Sequence, residues 1–313
     1  MDEEKIKQAQ KEIESVINAG APIVTLDIFK VLDEYVPSEE IKGKIEYTQE
    51  LYTELIEKIK EYPKNEQEMF LQTLKDADII DNQSIEKEDS FLLALYKRFS
   101  DITSIDILLK KLCEEKQISK EEFIKIHDVL LNGTTSQNKI GLRDNDLKFV
   151  GSFTPNPTTK FFFENRAISY FPIRHTEIDK ALDKLLNYYN NKIKLNNQYD
   201  AYLIPIIIHG LIAALQLFKD GNTRYGRLLQ SVLLFRLNKE LYNIDLNLPI
   251  VYASRQYAAY RDNYRQKVEK IVLENNSEAW NEWISFNLSR LQDGLYYNSN
   301  SLDYLSAHKP KRI

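Results

Sequence analysis

The chain has 313 residues, 43% of them hydrophobic and 28% charged, the balance of a globular protein with material for a sizeable core. Lys and Arg total 42 against 47 Asp and Glu, a net charge of −5, which argues against a non-specific nucleic-acid binder needing a broad basic face. Cys113 is the single cysteine, which excludes an intramolecular disulfide and a Cys-based zinc site and fits a reducing cytoplasm.

The N-terminal MDEEKIKQAQ has no apolar stretch behind a basic start, so no signal peptide is expected. The four histidines, His127, His175, His209 and His308, are scattered and suggest no structural metal. Nine glycines and nine prolines are few breakers for this length, so helix should dominate.

Residues 1 to about 20 form a charged amphipathic stretch. A helix over Glu39–Lys60 follows Pro37-Ser38, with Ile41, Ile45, Leu51, Leu55 and Ile59 at helical spacing. Asn65–Asp76 reads as another helix, and Ser90–Arg98 is apolar enough to pack inward. Cys113 lies beside Glu114 and Glu115, where acids disfavour a thiolate, so it reads as a packing residue. Ser119 with Glu122 forms a capping-box pattern that opens a helix through Phe123, Ile126 and Leu130, closed at Asn132-Gly133.

The composition then changes. Gly141–Phe171 is rich in Phe, Thr, Asn and Pro, with Leu147–Val150 and Lys160–Phe163 as two short strands joined by a TPNPTT loop. Helix resumes over Thr176–Asn190. Ala201–Phe218 has the length of a membrane span, but Pro205, His209, Gly210 and Gln216 interrupt it and no basic loop flanks it. It reads as a central helix buried on most sides. Further helices are expected over Thr223–Lys239, Ala253–Leu273 and Ser277–Leu291, followed by a polar tail. The fold class is therefore all-α, mainly a helical bundle, with a small β-hairpin.

The stretch with the most chemistry is LFKDGNTRYGRLL, Leu217–Leu229. An apolar helix ends, an Asp-Gly-Asn turn follows, and a new helix starts at Asn222 or Thr223. A helix N-terminus attracts anions, and Gly221 permits close approach of a ligand to the backbone. Arg224 and Arg227 share one face of the first turns, and two guanidinium forks there suit a polyphosphate. Asp220 could hold Mg²⁺ together with phosphate oxygens. The plainer reading is a helix–helix turn with solvated arginines.

The segment Q-L-F-K-D-G-N-T-R-Y-G-R, residues 216–227, resembles the Fic-family motif H-P-F-x-[D/E]-G-N-G-R-x-x-R. Phe218, Asp220, Gly221, Asn222, Arg224 and Arg227 match it. His209, the Ile124–His127 segment, Gly141–Arg143, Tyr252–Ser254, Tyr260, Tyr264 and Trp283 also resemble family features, so the likeness spans about Gln117–Gln292. It implies a Fic-like helical domain over about 116–300, an N-terminal helical region over 1–115 and a tail over 301–313. It further implies transfer of a nucleotide monophosphate, usually AMP from ATP, onto a protein hydroxyl, that is, AMPylation.

By that resemblance, Asp220 holds Mg²⁺, and Gly221, Asn222 and Thr223 offer donors to the phosphates. Arg224 and Arg227 neutralise them, and Phe218 anchors the loop in the core. The hairpin, about 148–164, resembles a flap that holds a target protein segment by strand addition. Phe161-Phe162-Phe163 either faces that target or packs on the core. Neither a membrane nor a nucleic-acid partner is expected. Glu86, in Asn82–Lys87, lies where the family carries an inhibitory glutamate and would pair with Arg227; a surface glutamate is the other reading.

The departures carry equal weight. The motif histidine, the general base, is Gln216, and an amide has no titratable group near neutral pH. A positioned base contributes typically ~10²–10⁴-fold. The motif proline is Leu217. Thr223 replaces the second glycine and would disfavour a positive φ there. His209 shares a face with Gln216, but two turns, about 10 Å, separate them, and it reads as a buried brace. The readings are a Fic-type nucleotidyltransferase with diverged chemistry, a nucleotide- or partner-binding pseudoenzyme, or a fold with a relic motif. Retention of Asp220, Asn222 and both arginines argues against the last.

Overall fold

Few breakers and long apolar periodicities produce a stack of helices, and the Phe- and Thr-rich stretch forms the one small sheet among the described residues. A computed structural model describes residues 3–30, 35–84, 112–114, 117–132, 136–151, 160–163, 165–192 and 198–307. Helices α1 (Glu3–Asn18), α2 (Glu39–Lys60) and α3 (Lys64–Ser84) come first. Next are α4 (Lys120–Leu131) and strands β1 (Val150–Gly151), β2 (Phe162–Phe163) and β3 (Arg166–Tyr170). Then follow α5 (Ile178–Lys192), α6 (Asp200–Leu215) and α7 (Asn222–Tyr242). Helices α8 (Ser254–Ala259), α9 (Arg261–Glu274) and α10 (Ser277–Ala307) complete the order.

Local signals fix several of these limits. Ser38 caps α2 by accepting from the Ile41 N–H, and the Ser119–Glu122 capping box closes reciprocally at 3.0 and 3.2 Å. The expected helix over Ala253–Leu273 is two, because the backbone at Tyr260 leaves helical geometry. Helix α10 continues to Ala307, well past Leu291 and into the region expected as a polar tail, and its Leu295 and Leu302 are buried.

Every residue of α6 from Ala201 to Leu215 is buried. It packs against α7, with α5, α9 and α10 around it, and the Trp283 indole N–H of α10 donates to the Ile206 carbonyl at 2.9 Å. No helix among the described residues is long and apolar enough to cross a membrane. Helix α2 lies along α10, and its Ile41, Ile45, Tyr52 and Leu55 join the same apolar core as Ala201–Leu215. Cys113 is buried in that core, which pushes its thiol up to about 12, in keeping with a packing role.

The strands pair otherwise than expected. Each of the two expected strands is shortened, and both pair antiparallel with β3, giving the order β1-β3-β2. Asn165, with φ 62°, makes the turn from β2 into β3. The Arg166–Tyr170 strand has little signature in the sequence, because its alternation is short and opens on a charge. Phe163 is buried against Phe149, whereas Phe162 is 53% exposed. The run is therefore divided between core and solvent. The TPNPTT loop lies outside the described residues.

Candidate functional site

The apolar helix ends earlier than its composition suggests. Helix α6 stops at Leu215, and Gln216 adopts the left-handed conformation (φ 50°, ψ 53°) that turns the chain away. Phe218 then bridges Leu142, and the Arg143 N–H donates to Leu217 O at 3.0 Å. The buried Arg143 guanidinium donates from Nε to Gln216 O at 2.6 Å and from a terminal nitrogen to Ile173 O. One cation thus ties the turn to the segment after β3. Burial lowers its pKa to about 10, so it stays charged at neutral pH.

The loop is closed from inside by Asn222. Its Oδ1 accepts from the Phe218 N–H at 2.8 Å, and its Nδ2 donates to Phe218 O at 2.9 Å and to Gln216 Oε1 at 3.3 Å. The Asn222 amide therefore braces the loop. Gly221 has φ 73°, a conformation that favours glycine, and a Cβ there would lie 2.7 Å from Leu131 Cδ2, so that leucine would have to shift. Phe218 stacks on His127 with ring centroids 3.7 Å apart, and His127 Nε2 donates to Asp220 O at 2.8 Å. Burial lowers the His127 pKa, keeping the ring neutral.

Thr223 lies in the first turn of α7. The positive φ values sit at Gln216 and Gly221 instead, so threonine is accommodated there without backbone strain. The two arginines part company. Arg224 turns inward and donates to Ser136 Oγ at 3.0 Å; Ser136 in turn donates to Asp220 Oδ2 at 3.0 Å. Arg224 also lies 3.8 Å from Asp220 Oδ1, and Lys139 approaches Oδ2 at 3.4 Å. Burial opposes ionisation of Asp220. The Gly221 N–H, Arg224, Ser136 and Lys148 outweigh it and hold the carboxylate below its ordinary range.

Arg227 faces a cleft of about 250 Å³ between the sheet and α9. Of the motif residues, Gln216, Thr223 and Arg227 line it; Asp220, Gly221, Asn222 and Arg224 lie outside its lining. Lys148, Arg166, Arg261 and Arg265 add four further cations. Arg261 Nε is buried without a hydrogen-bond partner among the described residues, a donor suited to an anionic ligand. Gln216 Nε2 donates to Ala213 O at 2.7 Å, which fixes its amide at the cleft wall. The α9 cations carry no sequence signal, because they belong to no motif and lie some forty residues from the loop.

His209 is a brace, as its distance from Gln216 implied. It is wholly buried, with Nδ1 donating to Gln230 Oε1 and Nε2 accepting from the Tyr264 hydroxyl at 2.9 Å. Glu86 lies outside the described residues. An acid that does lie near Arg227 is Asp78 of α3, buried and accepting from the Ser254 N–H at 3.1 Å. Burial pushes Asp78 up to about 6, with Arg227 pulling the other way. The folded state therefore holds this proton more tightly than the unfolded chain, and stability falls as pH rises from about 4 to 6. Asp78→Asn keeps the acceptor for Ser254 and should be stabilising at pH 7 but neutral at pH 4. Thermal melts at the two pH values check this; an equal shift at both would remove the assignment.

Residues 117–234 match the model of the Fic/DOC family. The fold is similar to Fic-1 from C. elegans, with TM-score 0.56 and 14% identity over 84% of this chain and 73% of that one. It is similar to a Fic family protein from Desulfovibrio desulfuricans, with TM-score 0.55 and 14% identity over 89% and 78%. A Fic domain containing signaling protein from Bacteroides thetaiotaomicron gives TM-score 0.54 and 12% identity over 83% and 97%. No curated protein matches the chain. The helical stack with its small antiparallel sheet is a Fic-like fold. Residues 117–234 therefore carry a domain that matches the Fic/DOC family, set in a Fic-like fold.

Proposed function

We propose that the cleft binds a nucleoside triphosphate and transfers its nucleotide monophosphate, AMP from ATP in the family's usual reaction, to a protein hydroxyl. The observation that carries this reading is the meeting of Arg227, Arg261, Arg265 and Lys148 around one cleft beside the motif loop. Polyphosphate oxygens match such forks, and phosphoryl transfer depends mainly on positioning and charge. The buried Nε of Arg261 gives a phosphate an unsatisfied donor to meet.

Asp220 is the residue that would hold Mg²⁺, which takes one or two carboxylates with phosphate oxygens and would neutralise the phosphate charge. No group of three or more acidic, His or Cys side chains able to hold a metal occurs among the described residues. This fits an ion that arrives with the nucleotide. Asp220 Oδ2 already accepts from Ser136 and Lys139, whereas Oδ1 accepts the Gly221 N–H, so an ion would share the carboxylate with these donors. A target segment would add to the edge of β1, which borders the cleft. We assign the domain to about 116–300 and the protein to the cytoplasm.

A second reading is favoured by Gln216 itself, whose amide bonds to Ala213 O and Asn222 as a structural cap would. On that reading the chain is a nucleotide-binding pseudoenzyme. Intact-mass measurement after incubation with Mg²⁺ and each of ATP, GTP, CTP and UTP, with lysate proteins as acceptors, separates the two. An added nucleotide monophosphate is expected under the first reading. A nucleotide-dependent melt shift without any mass increase would leave the second.

A further inference from the structure

A hydroxyl nucleophile must lose its proton, and the residue at the motif's base position cannot take it. The cleft lining contains no histidine among the described residues. Its arginines and Lys148 are proton-bearing cations with no lone pair to offer. Burial holds the Tyr170 and Tyr257 phenols well above their ordinary range, so they stay protonated. Tyr264 donates its hydroxyl to His209. That leaves one carboxylate in the lining, Glu269 of α9.

We propose that Glu269 is the proton acceptor of this cleft, a catalytic role that rests on the transferase reading above. Helix α9 packs against β3, and Ser169 Oγ donates to Glu269 Oε1 at 2.7 Å. This fixes the carboxylate at the cleft wall, and its Oε2 has no hydrogen-bond partner among the described residues. In the step, the target hydroxyl oxygen forms a bond to the α-phosphorus. The bond from that phosphorus to the bridging oxygen breaks, and pyrophosphate leaves with the electron pair. The hydroxyl proton passes to Glu269 and then to water.

The surroundings suit the task. Arg265 lies one turn earlier on α9, Ser169 and Tyr170 face the carboxylate from β3, and Arg227 and Lys148 border the same cleft. Burial raises the carboxyl pKa, while Ser169 and Arg265 oppose the rise. A carboxylate moved toward neutrality is a better general base than one in water.

The test follows label from each α-labelled nucleoside triphosphate into protein, with Mg²⁺, across pH 5–9. Wild-type transfer should rise with pH through one ionisation and then level. Glu269→Gln should lower the plateau rate by ~10²-fold or more and abolish that step, with the nucleotide-dependent melt shift retained. Ser169→Ala, which removes a donor to the carboxylate, should move the step to higher pH. Gln216→His combined with Glu269→Gln should recover transfer by the family's usual base. A melt without nucleotide checks that each variant folds.

Retention of more than a tenth of the wild-type rate in Glu269→Gln would overturn the assignment. So would transfer by Gln216→His from a wild type that shows none, although the cleft would then still be a transferase site. Absence of transfer from both, with nucleotide binding intact, would remove the transferase reading and this inference with it.

Discussion

Arg227→Ala is expected to erase the nucleotide-dependent melt shift and to weaken nucleotide binding by roughly 10–100-fold, the loss of one charge-assisted contact worth ~1.5–3 kcal/mol. Arg224→Ala should behave differently, although the two residues are equivalent in the motif. Arg227 lines the cleft, whereas Arg224 is buried behind the loop against Ser136 and Asp220. Removing Arg224 leaves Asp220 with Ser136 and Lys139 and takes a donor from Ser136. The protein without nucleotide should lose about 1–3 kcal/mol, and the nucleotide-dependent shift should persist. Arg227 also acts on Asp78, so each variant is compared with itself, with and without nucleotide. Differential scanning fluorimetry with Mg-ATP reads both effects. An unchanged shift in Arg227→Ala, or loss of the shift in Arg224→Ala alone, would reverse the assignment of the two arginines.

This divergence marks how far the sequence could be read. Helical spacing places both guanidinia on one face of α7, because residues three apart lie about 60° from each other around the axis. It does not say which neighbour lies across from each one. Ser136 reaches Arg224 over a separation of 88 residues, and nothing in its local pattern points to that contact. The same holds for Asp78, whose partner Ser254 is 176 residues away. By contrast, the limits of α2, the Ser119–Glu122 box and the burial of α6 are local or compositional properties, and the structure reproduces them.

The loop shows a mixed case. Its composition marks the turn, yet the turn begins two residues before Phe218, because Gln216, which is not β-branched, takes the left-handed conformation, one that is worst for β-branched side chains. Thr223 meets no backbone strain, because the positive φ values of the loop fall at Gln216 and Gly221. β-Branched and aromatic content marks the first two strands, but pairing is a long-range property, and Arg166 interrupts the short pattern of β3. The cleft was legible in part. Gln216, Thr223 and Arg227 come from the motif, whereas Arg261, Arg265 and Glu269 join it only when α9 folds back across α6 and β3.

Gly226→Ala should be among the most destabilising single substitutions in the chain, at the upper end of or beyond the ~1–3 kcal/mol typical of overpacking. A Cβ at Gly226 would lie 2.6 Å from His209 Cδ2 and 3.4 Å from the His209 carbonyl oxygen. The imidazole cannot step aside. Both its nitrogens are bonded, and the rings of Tyr257, Tyr264 and Trp283 surround it at centroid distances of 5.6, 5.6 and 5.1 Å. His209→Ala makes room but strips partners from Gln230 and Tyr264, so it is itself costly. The double variant should lose less than the sum of the two singles, because the clash requires the ring. Urea titrations of the four proteins test this, and strict additivity would place the strain elsewhere. The same ring gives an independent readout in pH. Burial pushes His209 down to about 3, against an ordinary value of 6.5. The unfolded chain therefore takes up a proton that the folded state refuses. The stability it supports is full above pH 6.5 and declines as pH falls from there toward 3. Between pH 7 and 4 the wild-type urea midpoint should fall more steeply than that of His209→Gln, whose amide does not titrate; parallel slopes would mean that the imidazole does not govern the acid limb.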